Sequence, residues 1–281
     1  MRNQTRRGWR KVVNGTNLAT LLVAVFVFLP LYWLVATAFK TRANVGVSPP
    51  QYFPNPISTQ NFHDAFSTNT FGRYIVNSVI VAVVATVLVL VIGTLAGYAL
   101  GRLPMRGKYI LLVMLLMISV FPPIAVVLPL YVVLRDIGWL NSYQALIIPY
   151  MAFYLPFAIW ILRNYFLAIP REMEESARID GTSPLRTLWS IILPQAWPGL
   201  FTAGIFTFTA CWTEFLMALS FNVVNDYRTI PVGIALFGGQ FVVPYGVLFA
   251  ASVVAVVPIA ALVLIFRRSV VSGLTAGAVK G

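Results

Sequence analysis

The chain has 281 residues, of which 59% are hydrophobic and only 10% are charged, and its formal net charge is +12. A soluble globular domain normally has about a quarter of its residues charged, so this composition excludes that class and indicates an integral membrane protein. The single cysteine, Cys211, excludes an intrachain disulfide bond. The lone histidine, His63, has only Asp64 beside it as a possible metal ligand, so we expect no metal site.

Six stretches without Asp, Glu, Lys or Arg are long enough to cross a bilayer, which needs roughly 20 apolar residues. They predict an all-α, polytopic membrane protein with helices at about 18–39, 74–100, 109–133, 143–162, 199–220 and 245–267. The uncharged stretch 43–63 contains four prolines and many polar residues, which indicates an ordered external loop. We therefore divide the chain into a basic arm (1–17), a six-helix transmembrane domain (18–267) and a C-terminal tail (268–281).

The basic residues are distributed unevenly over the two sides of such a bundle. If both termini lie on one side, fifteen of the twenty Lys and Arg residues lie there and five lie on the other side. Loops rich in Lys and Arg stay in the cytoplasm. We expect both termini and the segment 163–198 to be cytoplasmic. Since membrane lipid and topology account for the positive charge, we expect no nucleic-acid partner.

The second predicted helix carries three glycines spaced by four residues, Gly93, Gly97 and Gly101. Two overlapping G-x-x-x-G steps place these glycines on one helix face, where another backbone can approach closely. This pattern predicts tight helix packing.

Prolines interrupt the third predicted helix and also occur inside the fourth. Pro122, Pro123 and Pro129 predict a kink or an unwound stretch in the outer half of the third helix, and the fourth contains Pro149 and Pro156. In a bilayer, the carbonyl groups that such breaks release must face protein or water. Two adjacent proline-rich helices therefore indicate a central cavity, with simple bending as the alternative.

An aromatic stripe with two hydroxyl groups follows helical spacing on the fourth predicted helix. It consists of Tyr150, Phe153, Tyr154 and Phe157. Aromatic faces with hydroxyl groups suit sugar rings, which have apolar C–H faces and polar rims. A packing stripe or a membrane-interface belt is the alternative, and Asn77 near the start of the second helix is a weaker pathway candidate.

A charged segment at 170–194 separates the fourth and fifth predicted helices. Pro170 suits the first position of a helix, and the acidic residues that follow suit its positive end. Glu174 and Arg178 have the spacing of a favourable ion pair within one helix. Gly181 follows as the predicted helix stop.

A second helix is predicted after this glycine. Ser183 can cap it, and Pro184 suits its first position. Pro194 is predicted to end it. Its apolar stripe, which should lie against the bundle, consists of Leu185, Leu188, Trp189 and Ile192.

The segment resembles the signature of bacterial ABC-importer membrane subunits, which is E-A-A, three residues, G, nine residues and I-x-L-P. The chain has Glu175-Ser176-Ala177, then Gly181, then Ile191 to Pro194, and departs from the signature only at Ser176. The resemblance covers nearly the whole chain. The ending from Gly273 is also similar to that of carbohydrate permeases of the maltose and trehalose type, particularly their smaller subunit.

This resemblance implies a coupling helix that docks in a cleft of an ATP-binding subunit. The residues that it would assign to coupling are Glu174, Glu175, Ser176, Ala177, Arg178, Asp180, Gly181, Leu193 and Pro194. It also implies a heterodimer with a second, homologous permease, two ATP-binding subunits and an extracytoplasmic solute-binding protein. The location would be the bacterial cytoplasmic membrane, with the tail from Thr275 to Gly281 reaching between the ATPase subunits.

No phosphate-binding loop occurs in the sequence. The nearest approach, Gly101 to Lys108, has five intervening residues instead of four and is followed by Tyr109 where Ser or Thr is needed. No nucleophile and base occur at catalytic spacing. We expect a non-catalytic subunit that holds no cofactor, with ATP and Mg²⁺ bound by partner subunits.

Glu214 is the only charged residue inside a predicted span. Such a residue faces a cavity or a partner group, because exposure to lipid is costly. The stretch that contains Trp212, Thr213 and Glu214 resembles the W-N-E-F-L pattern of carbohydrate permeases, with Thr213 in place of Asn. A substrate-pathway role and a structural hydrogen bond between helices both remain open.

Two functions follow from these patterns. The first is a permease subunit of an ATP-driven importer of sugars, of the disaccharide or oligosaccharide class, which couples ATP hydrolysis to alternating access. The alternative is a self-contained secondary transporter or channel driven by an ion gradient, in which broken helices and Glu214 would support proton coupling.

Overall fold

The computed structural model describes residues 15–67, 70–238 and 243–266, and these ranges contain helices and no β-strand. The all-α prediction is therefore confirmed. The helices are α1 (Gly15–Ala38), α2 (Gln60–Ser67), α3 (Phe71–Arg102), α4 (Lys108–Val120), α5 (Pro123–Asp136), α6 (Gln144–Ala168), α7 (Glu172–Ile179), α8 (Pro184–Thr187), α9 (Leu193–Gln195), α10 (Trp197–Thr213), α11 (Leu216–Phe221), α12 (Ile230–Ala235) and α13 (Tyr245–Ile265). Most of the basic arm, the tail 268–281 and the predicted end of the last span at 267 lie outside the described residues.

Four helices are long and apolar enough to cross a membrane without interruption, namely α1, α3, α6 and α13. Two further candidates are bent pairs, α4 with α5 at 89° and the segment Pro184–Gln195 with α10 at 81°. Counting each pair as one span gives up to six. The chain is thus a multi-pass membrane protein.

The predicted break in the third span lies between Val120 and Pro123. Pro122 and Pro123 lack the N–H groups that would continue α4, and Pro123 instead starts α5, where its fixed backbone angle suits a first turn. Pro129 lies inside α5 without ending it. The predicted kink is confirmed, and its position follows from the proline pair.

One predicted helix end and one predicted continuous helix were wrong. The fourth helix continues beyond residue 162, where Arg163 ended the uncharged stretch, to Ala168, because burial of Phe166 against the core holds a further turn. The fifth predicted helix is not continuous from 199 to 220, since α10 ends at Thr213 and α11 begins at Leu216.

The described residues divide into two compact units, the first consisting of residues 15–67, 237–238 and 243–254. In this unit, the Asn61 side chain donates to the backbone carbonyls of Ala38 and Lys40, at 3.0 and 2.7 Å. The Tyr32 hydroxyl donates to the carbonyl of Tyr52 at 3.0 Å. These bonds tie the chain after α1 to α1 and α2, as expected of an ordered loop, although residues 60–67 are helical.

The second unit consists of residues 70–236 and 255–266. Its most extensive helix contact joins α3 and α6, and α10 packs on both. A Cβ atom added at Gly97 would lie 3.2 Å from the backbone nitrogen of Arg163 and 3.3 Å from the carbonyl oxygen of Ile159. The close approach predicted from the glycine spacing is confirmed, because a Cβ atom at these distances would be closer to backbone atoms than nearly all Cβ atoms in proteins are.

One buried cluster links the two transmembrane helices α3 and α6 to α10 and to the segment 188–196. Its members are Val89, Tyr98, Ala158, Ile161, Leu162, Phe166, Leu188, Ile192, Ala196 and Ala203. The segment that follows α8 is therefore part of the core of this unit.

Candidate functional site

The segment with the coupling signature forms a helix, a tight turn and a second helical stretch. Helix α7 begins at Glu172 with Arg171 as its N-cap, so Pro170 precedes the helix and does not occupy its first position. Three glutamates, Glu172, Glu174 and Glu175, lie in the first turn, where the helix dipole favours negative charge.

The turn after α7 is a Schellman motif centred on Gly181. The N–H of Gly181 donates to the carbonyl of Arg178 at 3.0 Å, and the N–H of Thr182 donates to that of Ala177 at 3.0 Å. Gly181 has a φ of 74°, which side chains disfavour. The predicted helix stop is confirmed.

The start of α8 also follows the prediction. The Ser183 hydroxyl accepts from the N–H of Arg186 at 3.4 Å, and Pro184 occupies the first turn. The Thr182 and Thr187 hydroxyl groups lie 3.0 Å apart across the turn. The two helical stretches are thus joined by a short connection with many hydrogen bonds.

Helix α7 has a buried face and an exposed face. Glu174 and Ala177 are 6% and 3% exposed, so these two candidate coupling residues face the protein. Five other candidates are exposed: Glu175, Ser176, Arg178, Asp180 and Gly181. The Ser176 hydroxyl donates to the carbonyl of Glu172 at 2.9 Å, so its departure from the signature fits within the helix.

The predicted ion pair between Glu174 and Arg178 was wrong. Glu174 pairs instead with Arg102, the last residue of α3, at 3.3 Å. The reason is the orientation of α7, which turns Glu174 towards the ends of α3 and α6 and leaves Arg178 exposed.

The predicted apolar stripe of the second stretch divides into two parts. Leu188 and Ile192 are fully buried, whereas Leu185 and Trp189 are 61% and 50% exposed. A π turn spans Leu188–Ile192 and changes the residues that share a face, so the regular helical spacing used for the prediction does not hold there.

The prediction that Pro194 ends this stretch was wrong. The helix continues to Gln195, and the 81° bend to α10 follows it. A π turn directly before a proline is one way to accommodate its missing N–H group. Leu193 is 7% exposed and Pro194 is exposed, so the two candidates lie on different faces.

Two exposed apolar side chains lie beside the turn: Ile179 was not singled out from the sequence, and Leu185 was predicted to lie against the bundle. Ile179 is 87% exposed and Leu185 is 61% exposed, and they flank Gly181 on either side in the chain. A signal was present, because both residues interrupt a run of polar and turn-forming residues.

A cavity of about 300 Å³ lies between the broken third span, α6 and the break after α10. Its lining residues are Ser119, Pro123, Tyr150, Phe153, Tyr154, Phe157, Glu214 and Met217. The whole aromatic stripe therefore faces this cavity, as do Glu214 and the start of α5. Ser119, Pro123 and Met217 were not singled out from the sequence, although Met217 is one helical turn from Glu214.

The carboxylate of Glu214 explains the break between α10 and α11. One oxygen accepts from the N–H of Met217 at 2.8 Å, and the other accepts from the N–H of Ala218 at 3.1 Å. The Tyr150 hydroxyl donates to the second oxygen at 2.5 Å. Glu214 thus caps α11 and holds it to α6, as the structural alternative predicts. Glu214 also lines the cavity, so the substrate-pathway alternative stays open.

The other three pathway candidates lie away from the cavity lining. Trp212 is buried and its indole N–H donates to the carbonyl of Ala255 at 3.0 Å, while the Thr213 hydroxyl donates to that of Thr209 at 2.8 Å. The Asn77 side chain is buried as well. It donates to the carbonyls of Asp226 and Arg228 and accepts from the Tyr143 hydroxyl, at 2.8 to 2.9 Å.

We expect Glu214→Ala to lower the Tm of the detergent-solubilised protein by several degrees. The substitution removes a helix cap and leaves two backbone N–H groups and a hydroxyl without their acceptor, which costs about 2 kcal/mol. Tyr150→Phe, which removes one donor and keeps the cap, should lower the Tm less. Equal Tm values for Glu214→Ala and the unchanged protein would contradict the capping role.

Comparison with known proteins agrees with this architecture. Residues 90–276 match the family described as binding-protein-dependent transport system inner membrane component. The chain is 40% identical to the sulfoquinovosyl glycerol transport system permease protein of Agrobacterium fabrum, with 94% of this chain and 93% of the relative covered. It is 38% identical to the trehalose/maltose transport system permease protein of Thermococcus litoralis, with 94% and 95% covered.

A solved structure shows the same fold. A chain of a bacterial ABC transporter involved in the import of the acidic polysaccharide alginate aligns with a TM-score of 0.80, over 95% of this chain and 99% of that chain, at 21% identity. The family match includes the whole signature segment, the turn at Gly181 and the cavity at Glu214. The chain therefore belongs to the family of inner-membrane permease components of binding-protein-dependent transport systems.

Proposed function

We propose that the chain is one permease subunit of an ATP-driven sugar importer, and that α7 is the helix through which partner ATPase subunits drive it. The observation that carries this proposal is the exposed surface around the turn at Gly181. Ile179 and Leu185 are apolar and exposed there, on a scaffold fixed by a Schellman motif and a serine cap. The asymmetry of basic residues supports a cytoplasmic location, where exposed apolar groups indicate a protein interface.

The partner assignment follows from what the sequence lacks. Without a phosphate-binding loop, this subunit would need two ATP-binding subunits to supply ATP and Mg²⁺, and it would have no catalytic role itself. A second, homologous permease would complete the pathway. Membership of a binding-protein-dependent family supports an external solute-binding protein as the further partner.

The substrate class rests on the relatives and on the cavity. Two relatives are named for sulfoquinovosyl glycerol and for trehalose or maltose, which contain sugar rings. The cavity offers aromatic faces together with the Tyr154 hydroxyl and the Glu214 carboxylate, a combination that suits a pyranose ring. We therefore assign sugars of the disaccharide or oligosaccharide class as substrates. The distribution of basic residues supports a location in a bacterial cytoplasmic membrane with both termini in the cytoplasm.

The test is purification of the chain with the proteins that accompany it, followed by reconstitution into vesicles. We expect uptake of trehalose, maltose or sulfoquinovosyl glycerol that requires ATP on the side of α7 and the solute-binding protein on the other side. A non-hydrolysable ATP analogue is the matched control. Uptake by the chain alone under an ion gradient would contradict the proposal and support a secondary transporter.

A further inference from the structure

Arg102 lies where three elements of the second unit meet. It is the last residue of α3, and its side chain is 2% exposed. Its guanidinium donates to the carbonyls of Phe166, in the last turn of α6, and of Ile169, directly after that helix. The Phe166 carbonyl also accepts from the N–H of Ile169 at 3.2 Å, and the guanidinium adds a charged donor to both carbonyls at this helix end.

The same guanidinium also reaches α7. Its Nε lies 3.3 Å from Oε1 of Glu174, whose side chain is 8% exposed. These two atoms are buried and make no hydrogen bond, so charge alone joins them. One planar side chain therefore links the end of α3, the end of α6 and the inner face of α7.

The burial of this pair separates it from the other ion pairs of the described ranges. Arg42–Asp64 and Arg135–Asp136 both have a side chain that is more than half exposed. A buried ion pair is weak support for stability, because apolar residues of similar size commonly do as well. A role in orientation accounts for its placement better than a role in stability.

We propose that Arg102 is a positioning residue for energy coupling, which makes α7 move as one body with α3 and α6. The proposal rests on the proposed function, in which α7 receives motion from an ATPase subunit. Exposed residues of α7 would receive that motion, while Glu174 and Arg102 on its inner side pass it to the largest helix contact of the unit.

The test uses the complete reconstituted importer and measures ATP hydrolysed per sugar transported. The double variant Arg102→Met with Glu174→Met leaves no buried charge but removes the donor to two carbonyls, so the Tm should fall by a few degrees while the importer still assembles. We expect the number of ATP molecules hydrolysed per sugar transported to rise about fivefold or more. A fivefold change is at the lower end of the effects that coupling between two sites typically has. Arg102→Lys keeps the charge but lacks the planar fork, so it should raise the ratio as well.

Arg106→Met is the matched control, because Arg106 is exposed and lies four residues beyond Arg102. It should keep the ratio of the unchanged importer. An unchanged ratio in the assembled double variant would overturn the positioning role, as would an unchanged ratio in Arg102→Lys if the double variant failed to assemble. Lack of ATP-dependent sugar uptake by the unchanged importer would instead overturn the proposed function.

Discussion

Replacing Gly97 with leucine is expected to force α3 and α6 apart and to destabilise the folded protein strongly. A Cβ atom at this position would lie 3.2 Å from a backbone nitrogen of α6 and 3.3 Å from a backbone carbonyl oxygen. Backbone atoms cannot rotate away as the end of a side chain can, so the helices must separate. The cost should reach or exceed the upper end of the ~1–3 kcal/mol that overpacking usually causes.

Gly72 provides the control on the same helix. It is exposed, and an added Cβ atom would meet no atom within 4 Å, so Gly72→Leu should leave folding unchanged. The measurement is the yield of monodisperse protein after detergent extraction, together with its Tm. Normal yield and Tm for Gly97→Leu would show that the contact between α3 and α6 does not determine the stability of this unit.

Replacing Gly181 with valine is expected to lower ATP-driven uptake by more than about tenfold while the chain still inserts and folds. The backbone at Gly181 has a φ of 74°, and holding a side chain in such a conformation costs about 1–3 kcal/mol, with β-branched residues at the upper end. No atom lies within 4 Å of an added Cβ, so a clash within the chain would not cause the loss. The strain would instead reorient the turn that joins α7 to α8.

Gly181→Asn separates backbone strain from the presence of a side chain. Asparagine tolerates positive φ better than valine, so this variant should keep most of the uptake. Uptake and the amount of ATPase subunit that co-purifies should be measured for both variants. If the valine variant assembles and transports normally, the assignment of α7 as the coupling helix is wrong.

The apolar spans and several helix breaks, stops and caps could be predicted from the sequence because they depend on local chemistry. The break at Pro122 and Pro123, the stop at Gly181 and the cap at Ser183 each follow from what one residue does to its own backbone. The glycine spacing on α3 likewise predicted the close approach to α6.

Features that depend on a distant partner could not be predicted in the same way. The i,i+4 spacing predicted an ion pair between Glu174 and Arg178. In the fold, Glu174 pairs instead with Arg102, which lies 72 positions earlier in the chain. The break at Glu214 arises because its carboxylate accepts hydrogen bonds from the N–H groups of the next turn. The surrounding apolar sequence gives no sign of this break. The π turn at Leu188–Ile192 changed which residues are buried, and it could not be predicted because no single residue type marks such a turn in the sequence.

The length of α3 has a geometric consequence for transport. Its 32 residues extend over roughly 48 Å, well beyond the ~30 Å hydrocarbon layer, and no proline interrupts them. Asn77 near one end binds the carbonyls of Asp226 and Arg228, and Arg102 at the other end binds α6 and α7. A rod tilted by ~10° about its midpoint moves its two ends by roughly 4 Å in opposite directions. Widening at one membrane surface and narrowing at the other would then be a single rotation, with no relay between two separate gates.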